Sequence, residues 1–169
     1  MSELRQLVEA INPSGALICE ESWASVWPDA APLAAAHAHE VDEGVEPRRK
    51  WAPDTEVFAL LNLQGSFLVF SAREASGKLV GYITWTLQFD PESKELLTAL
   101  MGPWYAAPES HCGGRLFDES LLVLKHKYRV QLAEPHHRLQ GRGAKLGPFF
   151  KLRGAKEKQI PYSLWIGED

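Results

Sequence analysis

The hydrophobic positions in the first third of the chain recur with helical spacing. This spacing predicts helices over residues 3–11, 23–39 and 54–63, the last capped by an aspartate at its first residue. Because Pro28 and Pro32 interrupt the second segment, we expect two short helices there rather than one. The apolar residues of the third helix are expected to share one side: Val57, Leu60, Leu61 and Leu63.

The pattern then changes to extended runs. Residues 66–72 and 79–87 are rich in aromatic and β-branched residues, and a turn that contains Gly77 joins them, which predicts an antiparallel hairpin. A third strand is expected over residues 96–106. Because proline is disfavoured inside a central strand, a bulge or splay is expected at Gly102-Pro103.

Helix and strand patterns alternate in the rest of the chain. They predict a helix over 116–128, a strand over 129–133, a helix over 144–152 and a strand over 159–166. This order predicts one α/β (α+β) domain over residues 1–169, with a mixed, mostly antiparallel central sheet flanked by helices. Residues 1–64 form its helical N-terminal region, and residues 65–169 form the sheet and core.

Composition narrows the class of protein. The chain has 169 residues, of which 45% are hydrophobic and 24% charged, as in soluble globular domains. No signal-peptide pattern and no membrane-length apolar run occurs, so we expect a cytoplasmic protein. Cys19 and Cys112 are expected to be free thiols. His37 and His39 resemble a ligand pair, but no further ligands recur at zinc spacing, so no metal is predicted.

Charge is divided unevenly along the chain. Residues 1–110 hold 7 Lys or Arg against 16 Asp or Glu, whereas residues 111–160 hold 11 against 4. A basic stretch in an acidic protein indicates an anionic ligand, either a nucleotide-like cofactor or nucleic acid. A solvated charged face is the simpler alternative.

The segment Ser110–Phe117 has the chemistry of a phosphate site. A glycine-containing turn that leads into a helix exposes backbone N–H groups without helical partners, and the helix dipole adds partial positive charge there. Gly113 and Gly114 permit close approach of a ligand, and Arg115 adds a cation. An ordinary tight turn is the alternative.

Five stretches resemble one known family. They are Ala72-Arg73-Glu74, residues 77–82, residues 105–109, residues 113–116 and residues 149–155. In the predicted order of elements, these stretches resemble the GNAT N-acetyltransferase superfamily, and in particular the small GNAT-like proteins of tailed phages. The resemblance covers roughly residues 50–166 and implies a GNAT-like sheet with a splay after the strand that binds acyl-CoA.

The resemblance also implies a cofactor site. The co-substrate would be acetyl-CoA, whose pantetheine arm would lie along Trp104, Tyr105 and Ala106. The pyrophosphate loop would comprise His111, Cys112, Gly113, Gly114, Arg115 and Leu116. In the family's loop pattern a small residue takes the last position, where Leu116 or Phe117 stands here.

Catalytic groups are less well matched. His136 and His137 follow the fifth predicted strand and are candidate general bases, since an amine must lose a proton before it attacks a thioester. Two exposed loop histidines are the alternative. The family's acidic Tyr is replaced by Phe150, or by Phe149 in the neighbouring register. Tyr162 is the candidate substitute, with Tyr128 and Tyr105 as alternatives.

These features predict an N-acetyltransferase that moves an acetyl group from acetyl-CoA to a primary amine by direct attack. One alternative is a degenerate GNAT fold that acts as a non-catalytic binding module. Another is a transferase that acts on an amine of a modified nucleic-acid base. The expected partners are acyl-CoA and an amine acceptor, with nucleic acid less favoured, no membrane, and a homodimer through exposed strand edges.

Overall fold

The structure is a computed structural model that describes residues 15–42, 52–90, 92–135 and 146–156. The chain forms two compact units, Met1–His136 and His137–Asp169. The predicted helix over residues 3–11 and the predicted strand over 159–166 lie outside the described residues. The single-domain organisation remains a prediction. Among the described helices, none is long and apolar enough to cross a membrane.

The first unit is built on a five-stranded sheet. Its strands are β1 (Leu17–Glu21), β2 (Phe67–Arg73), β3 (Leu79–Asp90), β4 (Ser93–Ala106) and β5 (Leu132–Glu134), in that spatial order. The first four strands are antiparallel, and β5 is parallel to β4. The expected hairpin of β2 and β3 is confirmed, and so is the mixed, mostly antiparallel sheet.

Helices cover both faces of this sheet. They are α1 (Trp23–Asp42), α2 (Thr55–Leu63) and α3 (Gly113–His126), while α4 (Leu146–Leu152) belongs to the second unit. On the face of α1 and α2, Trp23 packs against Phe58 and Phe67. On the opposite face, the Trp85 indole N–H donates a hydrogen bond of 3.0 Å to the buried Ser120 hydroxyl of α3.

The expected break at the two prolines is wrong, because α1 is one helix of 20 residues. Pro28 and Pro32 are four residues apart and both lie on its exposed face. The carbonyls of Ala24 and Pro28, which lose their helical donors to the prolines, therefore lie on the side that water reaches. The opposite stripe stays apolar and packs on the sheet.

The apolar side expected for α2 does not face the core, apart from Leu61, which is partly buried against it. Val57, Leu60 and Leu63 are 48%, 55% and 85% exposed. Asn62 fixes the rotation of the helix, because its side-chain oxygen accepts a hydrogen bond from the Trp23 amide at 2.9 Å and its side-chain nitrogen donates one to the Phe67 carbonyl at 2.8 Å. The expected cap is confirmed, since the Asp54 carboxylate accepts the Val57 N–H at 3.1 Å.

Strand β1 was not expected from the sequence. Its five residues do not alternate regularly between buried and exposed positions, and only Ile18 and Glu21 are half-buried, so periodicity does not identify the strand. An ion pair fixes this edge strand to β2, with Arg73 Nε 2.7 Å from Glu21 Oε1. The same guanidinium also contacts α1, where Arg73 Nη1 lies 2.7 Å from Asp29 Oδ2. The buried Ser71 hydroxyl donates a further hydrogen bond to Glu21.

This ion pair predicts an acid-sensitive contribution to stability. Burial raises the pKa of Glu21, but hydrogen bonds from Arg73 and Ser71 outweigh it, so its net pKa lies below the ordinary 4.5. The carboxylate therefore stabilises the fold fully above about pH 4.5, and its contribution is lost as the pH falls through the lowered pKa of the folded state. We expect Glu21→Gln to cost about 1–2 kcal/mol at pH 7 and less at pH 3.

Urea unfolding at both pH values measures this cost. The exposed Glu95 supplies the control, and Glu95→Gln should change stability by less than about 0.5 kcal/mol at either pH. A cost for Glu21→Gln that is equal at pH 7 and pH 3 would contradict the assignment of a charged Glu21.

Candidate functional site

The C-terminal part of β4 extends beyond its neighbour β5. The two strands pair only from Thr98 to Leu100, and β4 continues from Met101 to Ala106. No other strand among the described residues pairs with that edge. The predicted bulge lies here, because the β3–β4 register shifts where Gly102 and Pro103 face Thr84. An open strand edge can pair with an extended ligand that carries amide groups.

A short ordered loop connects this edge to α3. The Ala107 N–H donates a hydrogen bond of 2.8 Å to the Val80 carbonyl, and one 3₁₀ turn covers Pro108–Ser110. The Ser110 hydroxyl donates to the Ala107 carbonyl at 2.6 Å. His111 then adopts the left-handed region with φ 49°, which few residues other than glycine do. The loop thus turns sharply into the helix.

The N-terminus of α3 has the features of an anion site. The N-cap residue Cys112 makes no side-chain capping bond, and the first turn contains no acidic residue. The first helical hydrogen bond runs from the Leu116 N–H to the Cys112 carbonyl at 2.8 Å. The N–H groups of Gly113, Gly114 and Arg115 precede that bond, so the helix dipole and these donors favour an anion.

Gly113 brings the helix N-terminus against the open end of β4. A Cβ atom at this position would lie 3.2 Å from Ala106 Cβ and 3.7 Å from Trp104 Cζ2. A larger residue would therefore push the helix away from the strand. The open strand edge and the helix N-terminus are thus adjacent, and one ligand with an extended arm and phosphate groups can contact both.

The structure separates the side chains of the predicted loop. Cys112 and Leu116 are fully buried, so they can offer only backbone atoms to a ligand. His111 is exposed. The Arg115 guanidinium bonds elsewhere, with Nε 2.8 Å from Glu119 Oε1 and Nη2 3.0 Å from the Ala16 carbonyl. In this arrangement Arg115 contributes its backbone N–H to the helix N-terminus, while its charge holds the chain before β1.

The two aromatic residues at the open edge lie on opposite faces of the sheet. Trp104 packs on Phe117 of α3, with ring centroids 5.3 Å apart. Tyr105 lies on the face of α1, where its ring is 6.1 Å from Tyr82 and 5.8 Å from His37. Strand β4 therefore has one side that faces α3, where the candidate anion site lies, and an opposite side that faces α1.

The candidate catalytic residues His136, His137 and Tyr162 lie outside the described residues. In the second unit, α4 places a buried Phe150 beside Phe149, and the Arg153 guanidinium lies 3.6 Å above the Phe149 ring. Within the described ranges, no three His, Cys, Asp or Glu side chains are grouped closely enough to hold a metal ion.

Sequence reasoning did not single out Tyr82 and treated His37 only as a metal ligand. A signal for His37 exists in hindsight, because it continues the sheet-facing stripe of α1 that includes Val26, Ala30 and Leu33. A titratable residue on an apolar stripe is a candidate for function. No comparable signal exists for Tyr82, whose environment depends on cross-strand pairing.

Comparisons with known proteins identify the fold. No protein-family model matches the chain, and no curated protein matches its sequence. Solved structures do match. An aminoglycoside acetyltransferase from an uncultured soil metagenomic sample is 14% identical, and the alignment covers 90% of this chain and 97% of that one. A ribosomal-protein-alanine N-acetyltransferase from Brucella melitensis biovar Abortus 2308 is 17% identical, with coverage of 90% and 99%.

A third structure is the glucosamine-6-phosphate N-acetyltransferase from Arabidopsis thaliana, at 9% identity with coverage of 90% and 99%. Each of the three has a TM-score of 0.63 with this chain. At such low identity the likeness concerns the fold, and the similarity to phage proteins remains a prediction. The five-stranded, mostly antiparallel sheet with its flanking helices is the fold of the GNAT acetyltransferases.

Proposed function

We propose that this protein is an acyl-CoA-dependent N-acetyltransferase that transfers an acetyl group to a primary amine. The observation that carries the proposal is the open edge of β4 next to the N-terminus of α3. Coenzyme A combines an amide-containing arm with a pyrophosphate, so its two parts match these two features. The similar structures support the proposal, since all three are named as acetyltransferases.

The described residues fit coenzyme A mainly through their backbone atoms. The N–H groups of Gly113, Gly114 and Arg115 would hold the pyrophosphate, and the backbone of residues 104–106 would pair with the amides of the arm. Acetyl-CoA supplies an acyl group that is activated as a thioester. Because the Leu116 side chain points into the core, its bulk lies away from the surface on which phosphates would bind.

The protein's own groups must remove a proton from the amine, since an ammonium has no lone pair. His136 and His137 remain predictions for this role, and Tyr162 remains one for protonation of the leaving group. A cytoplasmic location, a homodimer and an anionic ligand of the basic stretch in residues 111–160 also remain predictions. Nucleic acid as acceptor is less favoured, since no described feature points to it.

Isothermal titration with acetyl-CoA tests the proposal directly. We expect saturable binding of one molecule per chain, and release of coenzyme A thiol when a primary amine is added. Binding without turnover of any amine would favour the alternative of a non-catalytic binding module. Absence of binding at about 1 mM acetyl-CoA would refute the cofactor site, since a Kd above about 1 mM corresponds to less than about 4 kcal/mol of binding free energy.

A further inference from the structure

His37 ends the sheet-facing stripe of α1 beside the open part of β4. The preceding residues of the stripe, Trp23, Val26 and Ala30, are buried in the core against the sheet. His37 is half-buried, and its imidazole lies 5.8 Å from the ring of Tyr105. The apolar contact between helix and sheet thus ends in a titratable group at the strand that lines the proposed cofactor site.

Tyr105 connects His37 to a second polar group. It pairs directly with Tyr82 on β3, and the two rings are 6.1 Å apart with an angle of 25° between their planes. Tyr105 is half-buried, whereas Tyr82 is only 4% exposed. Tyr105 therefore contacts both the half-buried His37 and the buried Tyr82, on the side of the sheet that α1 covers.

The Tyr82 hydroxyl is buried and has no hydrogen-bond partner in the described part of the protein. Most buried polar groups are paired, so an unpaired hydroxyl next to a candidate site calls for a partner that binds later. Burial, and to a lesser extent the neighbouring Tyr105, raise the pKa of Tyr82, which keeps the hydroxyl protonated. A ligand that bonds to this hydroxyl must displace side chains that bury it, and Tyr105, half-buried and stacked on Tyr82, is one of them.

The charge of the surrounding chain indicates the type of ligand. Helix α1 and strands β3 and β4 all belong to residues 1–110, which hold 16 acidic against 7 basic residues. Such a segment attracts cations. The faces of tyrosine rings also bind ammonium groups by cation–π attraction.

We propose that His37, Tyr105 and Tyr82 form the acceptor site and that its substrate is an aliphatic amine with further positive charge. In this proposal His37 is the general base, in place of His136 or His137. This inference rests on the proposed transferase function. His37 takes one proton from the ammonium, the freed nitrogen lone pair forms a bond to the thioester carbonyl carbon, and the carbon–sulfur bond breaks. The second proton lost from nitrogen passes to the departing thiolate. The Tyr82 hydroxyl oxygen accepts a hydrogen bond from the substrate ammonium, and the Tyr105 ring packs against the same ammonium.

Two variants test this site with spermidine as the probe amine. Tyr82→Phe removes only the unpaired hydroxyl, so its melting temperature should be unchanged or higher, while the spermidine Kd and KM should rise about tenfold. His37→Ala should lower kcat about 100-fold with little change in the spermidine Kd, and added imidazole should restore part of the rate. His126→Ala, on the exposed end of α3, is the matched control and should behave as wild type.

Titration of the cofactor-free protein with spermidine measures the Kd of the proposed acceptor site in the absence of acetyl-CoA. An unchanged Kd for Tyr82→Phe, a normal kcat for His37→Ala, or a rate that imidazole does not restore would overturn the inference. So would a wild-type protein that binds acetyl-CoA but prefers the anionic amine glucosamine 6-phosphate to spermidine. Failure of the proposed transferase function would give a different result. Acetyl-CoA would then not bind to the wild-type protein, whereas the spermidine Kd could still be measured.

Discussion

Replacing Gly114 with aspartate is expected to weaken acetyl-CoA binding about 100-fold, because a carboxylate would lie about 6 Å from the bound pyrophosphate and repel it by about 3 kcal/mol. Gly114 is the second residue of α3, whose first turn has no acidic residue. The same substitution favours the helix, since aspartate is better than glycine in a first turn and complements the dipole. The melting temperature should therefore stay equal or rise.

The opposite directions of these two effects make the prediction specific. Isothermal titration gives the Kd for acetyl-CoA, and thermal unfolding gives the stability. Leu122→Asp is the matched control, because it adds the same charge to an exposed position of the same helix, about 12 Å further along. If both variants weakened acetyl-CoA binding equally, the effect would belong to net charge, and the phosphate site would not lie at this helix N-terminus.

A methyl group at Gly102 is expected to destabilise the protein by about 2 kcal/mol. The Cβ atom of Gly102→Ala would lie 2.3 Å from the Oγ1 of Thr84, far inside contact distance, and Thr84 is buried. Gly102 belongs to the bulge where the β3–β4 register shifts, and it lies within the open part of β4, Met101–Ala106. The clash would therefore shift the strand that lines the candidate site and would also weaken acetyl-CoA binding.

A second substitution at Thr84, which removes the hydroxyl that the new methyl group would meet, tests whether this clash causes the loss of stability. In a Thr84→Ala background the same methyl group should cost less than about 1 kcal/mol, so urea unfolding of the four proteins should give a coupling energy of more than about 1 kcal/mol. Acetyl-CoA affinity should recover in the double variant. Additive costs would show that Gly102 is required for its backbone conformation and not for space beside Thr84.

Local patterns predicted the elements that local physics controls. The β2–β3 hairpin follows from two apolar runs around a turn, where Gly77 has φ 86°, and the cap of α2 follows from Asp54. The bulge at Gly102-Pro103 follows from the proline. The candidate phosphate loop could be proposed for the same reason, because a glycine turn before an amphipathic helix exposes N–H groups whatever the rest of the fold does.

Predictions that depend on packing were less successful. Periodicity placed Val57, Leu60, Leu61 and Leu63 on one side of α2, but it did not show that the side-chain bonds of Asn62 turn that helix so that Val57, Leu60 and Leu63 are exposed. The prolines of α1 do not divide it, because they share the side that faces water. For α2 the decisive contact is with Trp23, which is distant in sequence, and for α1 the deciding factor is which side of the helix packs on the sheet; a local pattern contains neither.

The sequence by itself determined the β2–β3 hairpin, its turn chemistry and the cap of α2, and it indicated a candidate anion site, since these depend on neighbouring residues and backbone geometry. The tertiary structure decided which groups meet there. It directed the Arg115 charge to Ala16 and Glu119 and left the helix N-terminus to backbone donors. It also placed Tyr105 against both His37 and Tyr82, whose hydroxyl is buried, because only sheet pairing and helix packing bring residues 37, 82 and 105 together.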